Sequence, residues 1–167
     1  QALGKGIFLD LKLHDIPNTV GEAARIGVRN GARMMTIHAS GGKSMMARAA
    51  ETAVEEADKR GFPRPVLLGV TILTSLQNED LASVGMAPDT SAQVLRLAAL
   101  ARAAGLSGVV CSAKEIEIVR KETGPEFLIV TPGIRPAGAS AQDQKRVMTP
   151  AEAVARGSDY LVIGRPI

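Results

Sequence analysis

The sequence predicts an α/β fold of parallel strands, a (β/α)8 TIM barrel of which six βα units are present. Three observations predict it. Apolar, β-branched runs alternate with amphipathic stretches along the chain, a glycine follows each amphipathic stretch, and the chemically capable polar residues gather where the apolar runs end.

The apolar runs are residues 7–13, 33–38, 66–73, 108–112, 127–131 and 160–163. Their near-continuous apolar character is that of parallel strands buried on both faces. Helices are expected near 17–30, 43–60, 91–104, 113–123 and 150–156. In the second of these, Met46, Ala50, Ala53, Val54 and Ala57 form one apolar stripe at helical spacing. Capping boxes are expected at Thr90 with Gln93, Ser112 with Glu115, and Thr149 with Glu152. Pro17 and Pro150 suit first-turn positions, where the missing N–H costs nothing. Gly31, Gly61, Gly105, Gly124 and Gly157 stand where a left-handed residue ends a helix.

An open doubly wound sheet would share this order of elements. It usually carries G-x-G-x-x-G after its first strand, and none is present, whereas a barrel places its chemistry on several strand ends. The chain is expected to be one barrel domain over residues 1–167, incomplete at both ends. It opens on Gln1 within seven residues of a strand and stops at Ile167 directly after the last one, short of the roughly 250 residues of a typical barrel.

Composition excludes several classes. Hydrophobic residues make up 46% and charged ones 22%, a globular profile. No apolar run reaches the ~20 residues of a membrane helix, and no signal-peptide pattern opens the chain. A net charge of +3 with 2% aromatics lacks the stacking rings of a nucleic-acid groove. A single cysteine, Cys111, precludes an internal disulfide and fits a reducing, cytoplasmic setting. No His, Cys and carboxylate spacing suggests a zinc site.

The most informative stretch is Phe8-Leu9-Asp10-Leu11-Lys12-Leu13-His14-Asp15-Ile16-Pro17-Asn18-Thr19. Strand alternation points Asp10 and Lys12 one way and Leu9, Leu11 and Leu13 the other, into the layer between strands and helices. Asp15 follows in the loop. An ammonium between two carboxylates stays charged and acts as an electrostatic stabiliser and proton donor rather than a nucleophile. A purely structural ion-pair cluster would use the same residues.

A second group ends the last two strands: Thr131-Pro132-Gly133-Ile134-Arg135-Pro136 and Val162-Ile163-Gly164-Arg165-Pro166. Barrels often bind phosphate at the loops after their seventh and eighth strands. Glycine admits an anion to the backbone N–H, and arginine offers a two-pronged fork. One such arginine alone would be an ordinary solvated charge; two adjacent Gly/Arg ends favour phosphate. Residues 137–146, small and polar, read as a lid or as a plain connection. His38 is expected to be buried and hydrogen-bonded, Thr74 and Ser75 to touch a ligand or to form a turn, and Met34, Met35, Met45 and Met46 to fill core and interface.

Together these stretches resemble the bacterial orotidine 5′-phosphate decarboxylase family. The match covers residues 10–19, 38–42, 70–75, 109–112, 131–136, 143–150 and 160–166. The most specific part is Asp10-x-Lys12-x-x-Asp15-Ile16-x-x-Thr19 with Pro132-Gly133-Ile134-Arg135 and Gly164-Arg165-Pro166. The resemblance implies decarboxylation of orotidine 5′-monophosphate to UMP without any cofactor or metal. Lys12 would protonate the C6 carbanion and Asp10 would sit beside the substrate carboxylate. Asp15, Ile16 and Thr19 would reach the neighbouring subunit's site in a homodimer. Thr74 would contact the pyrimidine; Pro132 belongs to the substrate-binding turn; Arg135, Gly164 and Arg165 would hold the phosphate; and Gln144 would bridge phosphate and base. The family also uses an aspartate and a lysine on two earlier strands, which would precede Gln1, so this stretch alone is expected to be inactive. Two alternatives stand beside this reading: the superfamily's Mg²⁺-dependent sugar-phosphate decarboxylases and aldolases, which share D-x-K-x-x-D, and a non-catalytic truncated remnant.

Overall fold

The computed structural model describes residues 5–135 and 148–164 of the chain. In chain order the elements are β1 (Ile7–Leu13), α1 (Pro17–Arg29), β2 (Ala32–His38), α2 (Lys43–Arg60), β3 (Val66–Val70), α3 (Asn78–Ser83), α4 (Thr90–Ala103), β4 (Gly108–Val110), α5 (Ile116–Thr123), β5 (Leu128–Thr131), α6 (Pro150–Ala155) and β6 (Tyr160–Leu161). Strands alternate with helices, so the α/β class is the one expected. The chain divides into two compact units, Gln1–Val70 with Leu100–Gly108, and Thr71–Ala99 with Val109–Ile167.

In the first unit β1, β2 and β3 lie in chain order and pair parallel. β2 and β3 keep an unbroken register from Met34↔Val66 to His38↔Val70. Met35, Ile37, Leu67, Leu68 and Val70 are buried, so both faces of these strands are covered, as parallel strands require. At Gly69 a Cβ would stand 3.0 Å from that of Ala101 and 3.3 Å from Leu106 Cδ1, which is why the strand carries no side chain there.

α1 packs on α2, with Val20, Ala24 and Val28 on one helix and Met46, Ala49, Ala53 and Ala57 on the other all buried. The α2 face is rotated from the expected one. Ala50 and Val54 are only half-buried, and Met45, Thr52 and Glu56 take the interior instead. Glu56 can be there because Arg25, Arg29 and Arg60 all reach its carboxylate. Gly61, at φ 64, ends α2 in the left-handed conformation expected of it.

In the second unit β4, β5 and β6 lie in chain order, and β5 pairs parallel with β6. Val109, Val110, Cys111, Ile129 and Val130 form its sheet core, with Ile116 and Val119 of α5. The third apolar run was expected to stay extended to Leu73, but β3 stops at Val70. Beyond it both the N–H and the hydroxyl of Thr71 donate to Val110 O, and a turn follows in which Leu76 N–H donates to Leu73 O.

The boxes at Ser112 and Thr149 form as expected. The first opens a 3-10 turn over Ala113–Glu115 that leads into α5. The Thr90 box does not form. Asp89 accepts the Ala92 N–H instead, while the Thr90 hydroxyl and N–H both donate to Asn78 Oδ1. α3 is an element the periodicity did not predict. Its six residues are too few to display a helical stripe, and its signal is the Gln77/Asp80 capping box.

Candidate active site

The first cluster sits on β1 and its end. Between Leu9↔Met35 and Leu13↔Ile37, three residues of β1 (Asp10, Leu11 and Lys12) face the single residue Thr36 of β2. This is a bulge, and Lys12 takes up the excess chain with φ 52. A left-handed conformation costs a non-glycine residue on the order of 1 kcal/mol, so it persists only where surrounding contacts impose it.

Those contacts form a ring. Lys12 N–H donates to Thr36 Oγ1 at 2.9 Å, the Thr36 hydroxyl donates to Asp10 Oδ1 at 2.8 Å, and Lys12 Nζ donates to Asp10 Oδ2 at 2.7 Å. Asp10 and Lys12 therefore do point together, but the alternation invoked for them is broken. Leu11 is turned out, 62% exposed, rather than packed under the strand. The pair is partly open to solvent, with side chains 40% and 37% exposed, so an arriving ligand can reach it.

Asp15 does not complete a carboxylate–ammonium–carboxylate sandwich. Its Oδ1 accepts the Ile16 N–H at 2.6 Å, at the entry to α1, and Lys12 is paired with Asp10. Asp15, Ile16 and Thr19 are all exposed, Ile16 by 67%. His38 is half-buried against His14, ring centroids 5.3 Å apart, rather than fully buried as expected. Partial burial holds its pKa below the usual imidazole value, helped by His14 and Lys12 and opposed by Asp10.

The other expected site residues belong to the second unit. Thr74 is half-buried in the turn after β3. Pro132 is half-buried and Gly133 adopts φ 75. Arg135 is buried, its N–H donating to Met148 O and its guanidinium to Ile134 O. Gly164 is exposed, and among the described residues nothing lies within 4 Å of where a Cβ would stand. Gln144, Arg165 and the whole expected lid, 137–146, lie outside the described residues. Among the described residues no group of three or more His, Cys, Asp or Glu side chains could hold a metal ion, and no helix is long and apolar enough to cross a membrane.

Sequence reasoning overlooked Thr36. Its signal was a hydroxyl inside the apolar run Met34-Met35-Thr36-Ile37, where a buried polar group must find a partner. Met35, Met45 and Met46 are core as expected, with Met34 half-buried.

The model of the orotidine 5′-phosphate decarboxylase / HUMPS family matches residues 1–167. The chain belongs to that family. Two curated relatives bear the name orotidine 5′-phosphate decarboxylase, a carboxy-lyase. The one from Moorella thermoacetica is 56% identical over 165 residues, 98% of this chain and 66% of the relative. The one from Syntrophus aciditrophicus is 55% identical over 168 residues, 100% of this chain and 67% of the relative. The chain thus spans about two thirds of the length of these family members. The crystal structure of orotidine 5′-phosphate decarboxylase from Lactobacillus acidophilus superposes with a TM-score of 0.86 at 40% identity, covering 99% of this chain and 69% of that one. The fold shared within the decarboxylase family is the (β/α) barrel that the sequence predicted.

Proposed function

We propose that the protein to which this chain belongs decarboxylates orotidine 5′-monophosphate to UMP, with Lys12 as the acid and no cofactor. The observation that carries the reading is the Asp10–Lys12 pair, an ammonium held 2.7 Å from a carboxylate on a strained, partly open strand end. The family membership and the names of its relatives support the substrate.

The chemistry asks for such a cation. When the C6–carboxylate bond breaks, its electron pair stays on C6 as a vinylic carbanion with no electron sink. A preorganised positive charge at that carbon stabilises the developing anion, and the same ammonium then delivers a proton to C6 while CO₂ leaves. Asp10 holds the ammonium in place and lies beside the departing carboxylate. Arg135, Gly164 and Arg165 take the phosphate, Pro132 shapes that turn, Thr74 meets the pyrimidine and Gln144 spans phosphate and base. Binding energy from the remote phosphate is then available for orienting the ring.

Asp15, Ile16 and Thr19 serve the site of a second copy in a homodimer. Their exposure at the end of β1 and the start of α1 supports this role. One barrel domain and a cytoplasmic setting complete the reading.

Loss of orotidine 5′-monophosphate absorbance, followed with EDTA present in the full gene product that contains these residues, tests it. Turnover should be independent of metal, and Lys12→Ala should slow it by about 10³-fold. A folded wild-type protein that leaves the nucleotide untouched overturns the proposal. Activity on sugar phosphates that disappears with EDTA would assign the chain to the Mg²⁺-dependent alternative.

A further inference from the structure

We infer that Thr36 is the positioning residue that sets the Lys12 ammonium, a role that rests on the decarboxylase reading above and deepens it. In the register between Leu9↔Met35 and Leu13↔Ile37, Thr36 is the one β2 residue opposite the three-residue bulge of β1. A strand N–H displaced by a bulge loses its carbonyl partner in the ladder. For Lys12 the partner is a side chain: its N–H donates to Thr36 Oγ1.

One hydroxyl can accept and donate at the same time. Thr36 uses both capacities, accepting from the backbone of Lys12 and donating to Asp10 Oδ1, whose other oxygen holds Lys12 Nζ. The left-handed turn of the backbone and the direction of the ammonium are thereby coupled through a single buried atom. Thr36 itself is fully buried, so it does not meet the substrate. It acts through Asp10 and Lys12, and geometry at the reacting carbon is what it controls.

Thr36→Val keeps the branched shape and removes the hydroxyl; Thr36→Ser keeps the hydroxyl and removes a methyl. In the full gene product, Thr36→Val should lower kcat by about 10- to 100-fold, with KM for orotidine 5′-monophosphate little changed. Thr36→Ser should recover most of that loss, and thermal stability should not track the ranking. Should the valine variant fail to fold, Thr36→Ala carries the same comparison. Wild-type turnover with Thr36→Val equally fast overturns the role of Thr36 and leaves the decarboxylase reading standing. Equal losses in the valine and serine variants, tracking melting temperature, also overturn it, because packing would then be the cause. If the wild type does not turn over the nucleotide, the decarboxylase reading fails on its own, and a crystal structure of the valine variant decides. Lys12 leaving positive φ and its contact with Asp10 supports the coupling, and an unchanged Lys12 overturns it.

Discussion

The Glu56 carboxylate on α2 accepts Arg29 Nε of α1 at 2.8 Å while being only 1% exposed itself. Arg25 Nη1 lies 3.3 Å from the other oxygen, and Arg60, one turn along α2, closes the cluster. Hydrogen bonds from Arg29 and Arg60 lead in drawing the Glu56 pKa down from 4.5 to about 2, against the opposing effect of burial. A carboxyl depressed by folding stabilises the native state above its unfolded pKa and loses that contribution as pH falls through the folded one. The melting temperature of Glu56→Gln should therefore lie below that of the wild type at neutral pH. The gap should narrow between about pH 4.5 and 2. Thermal melts of both proteins across that range check this, and a gap independent of pH would contradict it.

Arg120 of α5 is the corresponding hub of the second unit. Its Nη1 donates to the carbonyls of Gly124, Pro125 and Phe127, and its Nη2 to Gly157 O and Asp159 Oδ2. Asp159 Oδ2 in turn accepts the Ile129 N–H of β5. Arg120→Ala should cost about 2–3 kcal/mol by urea unfolding, because several carbonyls lose their donor at once. Arg120→Lys should recover only part of this, since an ammonium lacks the planar fork. Full recovery by lysine would show that charge alone matters there.

The Cys111 thiol is buried, and burial, with Glu115 adding to it, pushes its pKa up well above the usual thiol value. Reaction with a disulfide reagent requires the thiolate. Native protein should label only as fast as the second unit opens, and denatured protein within the mixing time. Rapid labelling under native conditions would place the thiol at an accessible surface instead.

The (β/α) alternation was legible because each level of the chain agreed. Apolar runs of strand length, helical stripes, caps at Ser112 and Thr149 and a glycine such as Gly61 at a helix end all depend on residues a few positions apart. The charged strand end was legible for a similar reason, since Asp10, Lys12 and Asp15 lie within six residues. The two strand-end turns at Gly133 and Gly164 were also visible as local patterns.

What those residues do with one another was decided by partners distant in sequence. Alternation predicted that Leu11 would be covered, yet the bulge against Thr36, 24 residues beyond Lys12, turned it to solvent and moved Lys12 to positive φ. The apolar stripe expected on α2 did not include Glu56, yet arginines 27 and 31 residues away make its burial tolerable. Asp15, expected beside Lys12, turned to its own neighbour's N–H. By itself the sequence determined the fold class, the order of elements and the chemical types at the strand ends, because these follow from short-range backbone preference and apolar periodicity. Only the tertiary structure decided the register of β1 on β2, the company of Glu56 and the direction of the Lys12 ammonium. Each of these is a choice among hydrogen-bond partners that only folding brings within reach.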